Sequence, residues 1–256
     1  MTSLLAVGGS PSAYWYLTRS TGAVALILLT ASLALGVADV RRFATPHWPR
    51  FVIDGLHRTV SLLAVVFVAL HVFASVLDGF AAISITAAVV PFISSYRPIW
   101  LGLGALSFDL LLALVITSML RGRISQRVWR VTHWAAYACW PIALVHSFGT
   151  GSDARSAWLL LLSVACIAVV ALAVISRALP EFSEHPRLNT AALGGVAAFA
   201  LFLIVWLPSG PLAKDWASRA GTPASLLGHS HSSSAASSSA SSGTENRTAG
   251  TSEEER

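Results

Sequence analysis

The sequence predicts an all-α protein, a polytopic membrane bundle of about six transmembrane helices with a disordered C-terminal tail, and three observations carry that prediction. Hydrophobic residues fill 55% of the 256 positions and charged residues only 11%, with a mean hydropathy of +0.67, far from the balance of a water-soluble domain. The apolar residues gather into blocks of about 20, long enough at about 1.5 Å rise per residue to cross a hydrocarbon core of about 30 Å. Arginine-rich and arginine-poor connections alternate between those blocks, as in a chain threaded back and forth through a bilayer. This composition excludes a cytosolic enzyme and any nucleic-acid partner, and makes membrane lipid the solvent.

The first block, 16–38, follows a short N-terminal segment, 1–15, which lacks a basic stretch leading into a long apolar one. No cleavable signal peptide is therefore expected, and the first helix serves as its own insertion signal. Further blocks run over 56–77, 98–120, 131–148, 157–176 and 190–207. The semi-apolar piece 81–95 is too short and too interrupted by Pro91 to span, so it is expected at the outer interface, as a lid. These blocks divide the chain into a membrane domain over 16–176, a loop with an additional span over 177–208, and a polar Ser-rich tail over 209–256, which cannot bury enough apolar surface to fold.

Residues 1–210 hold 13 Arg against 7 acids, whereas the segment from 211 holds 4 basic and 5 acidic residues. The first connection with its flank carries Arg41, Arg42, Arg50 and Arg58, the third carries Arg121, Arg123, Arg127 and Arg130, and the fifth carries Arg177 and Arg187. The other two carry one each, Arg97 and Arg155. Because short cytoplasmic loops retain Arg and Lys, the rich connections are expected inside and both termini outside a cell membrane. Cys139 and Cys166 lie in apolar runs without a C-x-x-C context, and are expected to be small packing residues.

Four of the eight histidines fall inside apolar blocks: His57 and His71 in the second, His133 and His146 in the fourth. Polar groups at that depth are expensive and mark function by default. His57 and His71 are 14 residues apart and His133 and His146 are 13 apart, about 21 Å and about 19.5 Å along a helix. One pair on one helix cannot share an ion, since two imidazoles on one metal usually sit at i, i+4. Spans two and four run in the same direction, however, so His57 lies level with His133 and His71 with His146. Two level imidazoles can serve as the axial ligands of an iron porphyrin, which suits an apolar bundle interior. Fourteen residues return within about 40° of the starting face, but thirteen miss it by about 140°. The fourth helix must therefore distort, and Pro141 supplies a cause. His47, His185, His229 and His231 lie in polar loops or the tail and are expected to be solvated.

The runs GLHRTVSLLAVVFVALH and RVWRVTHWAAYACWPIALVH resemble the ferric reductase-like transmembrane domain shared by ferric reductases, NADPH oxidases and bacterial haem-binding relatives. That resemblance, over roughly 16–176, implies two b-type haems held by His57, His71, His133 and His146. It also implies a membrane cytochrome b, an oxidoreductase subunit carrying electrons from a cytoplasmic donor to an outer acceptor. In that family, NADPH oxidases and eukaryotic ferric reductases continue into a flavin and nicotinamide region, whereas this sequence has no G-x-G-x-x-G after a strand and no P-loop. FAD or FMN and NAD(P)H are thus expected only through a partner, a separate flavin dehydrogenase or a quinol donor, with an extracytoplasmic acceptor protein on the other side.

Anionic haem propionates call for basic partners. Arg58 and Arg130 are placed for the inner haem, and Arg19 and Arg97 for the outer one. Trp140, midway between His133 and His146, is a candidate for the electron path or a packing residue. Asp109, an acid deep in the third span, is expected to make a structural hydrogen bond. On the residues alone, an intramembrane histidine-based transition-metal transporter is the alternative, although its ligands would need carboxylate or Met partners that the spans hardly offer.

Overall fold

The computed structural model describes residues 12–40, 50–81, 83–151, 154–178 and 186–227. Its elements are α1 (Ala13–Val40), α2 (Arg50–Leu77), α3 (Ile85–Val89), α4 (Pro98–Met119), α5 (Gln126–Trp134), α6 (Ala136–Thr150), α7 (Ala157–Ala178), α8 (Pro186–Ser209), α9 (Trp216–Arg219) and α10 (Ala224–Leu227). Among the described residues there is no strand. Five helices, α1, α2, α4, α7 and α8, are long and apolar enough to cross a membrane. The chain is a helical membrane bundle. Successive long helices alternate in direction, so the bundle has an upper end, carrying Ser12, Arg97 and Gly151, and a lower end, carrying the α4–α5 turn.

The fourth span departs from the single helix expected over 131–148. It is built from two pieces, α5 and α6, which meet at Ala135 rather than at Pro141, and α6 runs through that proline. At the junction the Ala135 N–H donates to the Thr132 carbonyl at 2.9 Å and the Ala138 N–H to the Ala135 carbonyl at 3.0 Å. These are i to i−3 bonds, wound tighter than an α-helix. The junction also marks a change in chemistry, from the polar QRVWRVTHW to the apolar AYACWPIALV. Ser125 starts α5 by accepting the Val128 N–H at 3.3 Å, an ordinary N-cap.

Packing follows the small residues. α1 lies along α2 and also meets α6 and α7, whereas α4 pairs with α6. Ala64 and Ala74 of α2 are buried, as expected where backbones approach closely in a membrane. The antiparallel register of α1 and α2 is pinned by Ser32 and Ser61, whose hydroxyls share a hydrogen bond of 2.7 Å, and at the upper end by Ser12 donating to Asp78 at 3.0 Å. A core of Leu26, Trp140, Leu144, Phe148, Cys166 and Leu203 joins α1, α6, α7 and α8. Leu62, Phe73, Leu161, Leu172 and Ile204 are exposed and form part of the surface that faces acyl chains. Cys139 and Cys166 are buried and unbonded to each other, the packing role expected.

The piece 81–95 sits across the upper end, with α3 against α4. Ser84 caps α3 by accepting the Ala87 N–H at 3.1 Å, and Phe92, at φ 68°, lies over Gly102, where a Cβ would overlap its ring. Order also extends further along the tail than the composition suggests. Residues up to Leu227 fold back over the upper end: Trp216 donates its indole N–H to the Gly149 carbonyl at 3.2 Å and packs 5.0 Å from Trp100. One large aromatic gives this otherwise polar stretch something to bury. Residues 228–256 with His229 and His231, together with His47, His185 and the Arg41 and Arg42 connection, lie outside the described residues.

Candidate functional site

At the upper end, His71 and His146 face each other across the gap between α2 and α6, with ring centroids 6.4 Å apart and planes at 83°. Each ring is seated the same way. The His71 Nδ1 lies 2.8 Å from the Thr18 carbonyl of α1, and the His146 Nδ1 lies 2.8 Å from the Trp100 carbonyl of α4. A carbonyl can only accept, so each Nδ1 carries the proton and each Nε2 is left with its lone pair. Four residues beyond each acceptor stands a glycine. A Cβ on Gly22 would come within 3.0 Å of the His71 ring, and one on Gly104 would overlap the His146 ring. The carbonyl orients the imidazole and the glycine makes room for it.

At the lower end, His57 repeats the device. Its Nδ1 lies 2.9 Å from the Ser32 carbonyl, and a Cβ on Gly36, again four residues on, would stand 3.3 Å from the ring. Gly22 and Gly36 are 14 residues apart, as are His57 and His71, so one antiparallel register seats both rings. His133 has no such seat. It stacks on Trp129 with centroids 4.8 Å apart and planes at 17°, and its buried Nδ1, like the Trp129 indole nitrogen, has no hydrogen-bond partner among the described residues. It still lies within electrostatic range of His57.

The separation of the upper rings suits an iron porphyrin between them. A metal–imidazole bond of about 2.0 Å, plus about 1.1 Å from Nε2 to the ring centre, puts two trans imidazoles on one metal about 6.2 Å apart, centre to centre. The observed 6.4 Å agrees. Both rings line a cavity of about 300 Å³ whose walls include Gly22, Leu26, Val68, Phe108 and Leu111, an apolar slot of the size that small cofactors use. The Thr18 hydroxyl, buried and without a hydrogen-bond partner among the described residues, belongs to a residue lining the same cavity. The upper site therefore fits the group. The lower site fits on its His57 side only. Among the described residues no three of His, Cys, Asp and Glu come together.

The arginines divide. Arg19 lines the cavity with its guanidinium 4.1 Å from the Trp15 ring centre. Arg58 and Arg130 are exposed at the lower end. Arg97, at 5% exposure, is committed elsewhere. It donates to the Thr222 hydroxyl at 2.9 Å and to the Gly149 and Thr150 carbonyls at 3.0 and 3.1 Å, while its backbone N–H reaches the Gly221 carbonyl at 3.1 Å. It does so from a left-handed backbone, φ 42° and ψ 62°, a conformation that costs a non-glycine residue about 1 kcal/mol. Burial lowers its pKa from the ordinary value and neighbouring Tyr96 draws it part of the way back. Arg97 fastens the C-terminal segment onto the upper end.

Trp140 lies in the apolar core at 4% exposure, apart from the side chains that line the cavity. Its indole N–H donates to the Thr30 hydroxyl at 2.8 Å, which in turn donates to the Leu26 carbonyl at 2.8 Å. Asp109 is half-buried and has no side-chain hydrogen bond among the described residues, so the bond expected of it is not made there. The functional residues that sequence reasoning missed are Gly22, Gly36 and Gly104. Their signal was available in part, as the shared spacing of fourteen on α1 and α2.

Residues 21–144 match the family model described as ferric reductase like transmembrane component. That stretch contains His57, His71 and His133 and stops two residues short of His146. No curated protein and no solved structure matches the chain.

Proposed function

This chain belongs, through residues 21–144, to the ferric reductase-like transmembrane family, which gives it a membrane electron-transfer role of the oxidoreductase type; on that premise we propose that it is a cytochrome b holding two b-type haems. His71 and His146 would bind the upper haem, and His57 and His133 the lower one. When bound, such a group supplies one-electron redox chemistry with no open position on the iron. The observation that carries the reading is the facing of His71 and His146 at 6.4 Å, each with its proton held on Nδ1 by a carbonyl.

The protein's own part is placement and insulation. The carbonyls of Thr18, Ser32 and Trp100 fix tautomer and ring plane before anything binds, and such partners raise ligand basicity. Leu26, Val68 and Phe108 keep water from the slot. Arg19 is the basic side chain nearest the upper slot for an anionic porphyrin edge. At the lower end Arg121, Arg123, Arg127 and Arg130 are exposed and offer a positive surface to an electronegative donor, a flavin dehydrogenase or a quinol-bearing protein. By the positive-inside rule this surface faces the cytoplasm of the cell, both termini face out, and the acceptor is extracytoplasmic. Outward electron flow then runs with an inside-negative potential, gaining about 2.3 kcal/mol per 100 mV.

The test is a pyridine haemochrome assay on purified full-length protein in lipid discs, expected to give two haems per chain. The same sample should be reduced by dithionite, resist NADPH alone, and respond to either a quinol or an added flavoprotein. Rapid reduction by NADPH in a flavin-free preparation would overturn the partner requirement.

A further inference from the structure

We propose that the bare stripe of α4 around Asp109 is the contact surface for a second copy of this chain, in a two-fold dimer whose axis runs along the membrane normal and whose Asp109 carboxyls hydrogen-bond each other. This surface owes nothing to the two-haem reading, which leaves Asp109 without a task. Asp109 stands eleven residues from Pro98 and ten from Met119, the ends of its span, or about 15–16 Å from either. Among the described residues it is the only Asp, Glu, Lys or Arg more than seven residues from both ends of its span. It sits at the middle of the bilayer.

Helical phase sets the direction of the side chain. At about 100° per residue, Ser107 and Leu114 lie about 160° and 140° around α4 from Asp109, and both are buried. Ser107 donates to the Cys139 carbonyl at 3.3 Å, so that side faces α6. Asp109 therefore points away from α6. Leu112 and Ile116 lie about 60° and 20° from it and are exposed, as is Met119 below them. Higher on the same stripe Ala105 is buried and Gly102 lies under Phe92. The cover that the 81–95 piece gives α4 thus stops one turn above Asp109.

Most of the lipid-facing surface needs no protein against it. Leu62 and Phe73 of α2, Leu161 and Leu172 of α7 and Ile204 of α8 are exposed and apolar, and acyl chains suit them. The α4 stripe differs by its carboxyl, which is expensive to leave to lipid and which no described residue hydrogen-bonds. A second copy completes it. In a dimer symmetric about the membrane normal, equivalent residues meet at equal depth, so Asp109 faces Asp109. A carboxyl that keeps its proton donates to an oxygen of the other, and one proton between the two is enough for a bond. Any other partner would have to carry a polar group of its own at that one depth. Ala113, one turn below, is small enough for the two backbones to approach, and Leu112 and Ile116 add apolar contact.

The test counts copies. Full-length protein carrying one fluorophore at its C-terminus, in liposomes at a series of protein-to-lipid ratios, should photobleach in two steps at high density and in one at low density. Asp109→Leu should weaken this association about tenfold, the scale of an interhelical hydrogen bond in a membrane. Asp109→Asn, whose amides pair in the same way, should stay near the parent. Cross-linking locates the interface with Asp109 intact: Ile116→Cys should form a disulfide between copies under mild oxidation, and Leu172→Cys on α7 should not. A parent protein that stays monomeric at every density, an Asp109→Leu variant that associates as strongly as the parent, or cross-linking through position 172 and not 116 would each overturn the dimer. Haem content, measured on the same samples, should not change with Asp109→Leu. Fewer than two haems in the parent protein would overturn the two-haem reading and leave the dimer standing.

Discussion

The upper and lower histidine pairs come from the same two helical strands, yet only the upper pair is seated on both sides. His71 and His146 each rest on a glycine and bond a carbonyl. His57 does the same, but the His133 Nδ1 finds no hydrogen-bond partner among the described residues, and its ring stacks on Trp129 instead. The difference teaches that an intramembrane histidine is only half of a ligand site. The other half is backbone: a carbonyl with a spare lone pair and a residue without Cβ to let the ring reach it.

The comparison breaks most visibly where a seated ligand is deleted. His146→Ala and His71→Ala should each empty the upper site, taking haem content from two per chain to one in the pyridine haemochrome assay. If either variant kept two haems, the upper pair would not be the site its geometry describes.

A graded test sharpens the same point. Alanine at Gly104, Gly22 and Gly36 would place a Cβ in overlap with His146, at 3.0 Å from His71 and at 3.3 Å from His57, respectively. Real Cβ contacts tighten steeply over that range, so Gly104→Ala should displace its ring and lose most of the upper haem. Gly22→Ala should retain haem with weakened binding, and Gly36→Ala should be nearly silent. Haem retention after gel filtration measures the series, and any other order would mean that the glycines do not act through the rings above them.

Much of this was legible in the sequence. Bilayer thickness leaves few choices for where an apolar block can lie, and the cost of burying an imidazole singles out His57, His71, His133 and His146. The fourteen-residue step also gave the common face of His57 and His71. The acceptors were not legible, because a carbonyl carries no residue type and becomes special only when a neighbouring helix presents a ring to it. Nor was Arg97: its partners at 149, 150 and 222 are distant in sequence, so a charge-based reading assigns it to a propionate while the fold uses it as a clasp. Pro141 announced a distortion, but the distortion fell at Ala135, where the polar α5 meets the apolar α6.

That clasp predicts a third effect, on stability rather than on haem chemistry. Arg97→Met removes three side-chain hydrogen bonds from a charged, nearly buried donor and leaves the Gly149 and Thr150 carbonyls to other partners. Bonds of that kind contribute about 1.5–3 kcal/mol each when intact, and compensation by water at the bundle end reduces the sum to about 3 kcal/mol. Thermal unfolding in detergent should come earlier, and protease should cut sooner within 210–227, while the visible spectrum of the lower haem stays unchanged.

The smallest effect separates Trp140 from both histidine pairs. Its depth between His133 and His146 suggests a place on an electron path, but its ring packs near Phe199, 6.5 Å centre to centre, and its N–H is held by Thr30. Trp140→Phe keeps most of the apolar contact and removes one hydrogen bond, while Thr30 keeps its bond to the Leu26 carbonyl. A loss of about 1 kcal/mol in stability is expected, with haem content and the rate of electron transfer between the two sites unaltered. Flash-initiated transfer between the haems measures that rate directly. A slowing of tenfold or more without loss of haem would put the indole on the path, and would make the core between the two pairs part of the conduit rather than only its support.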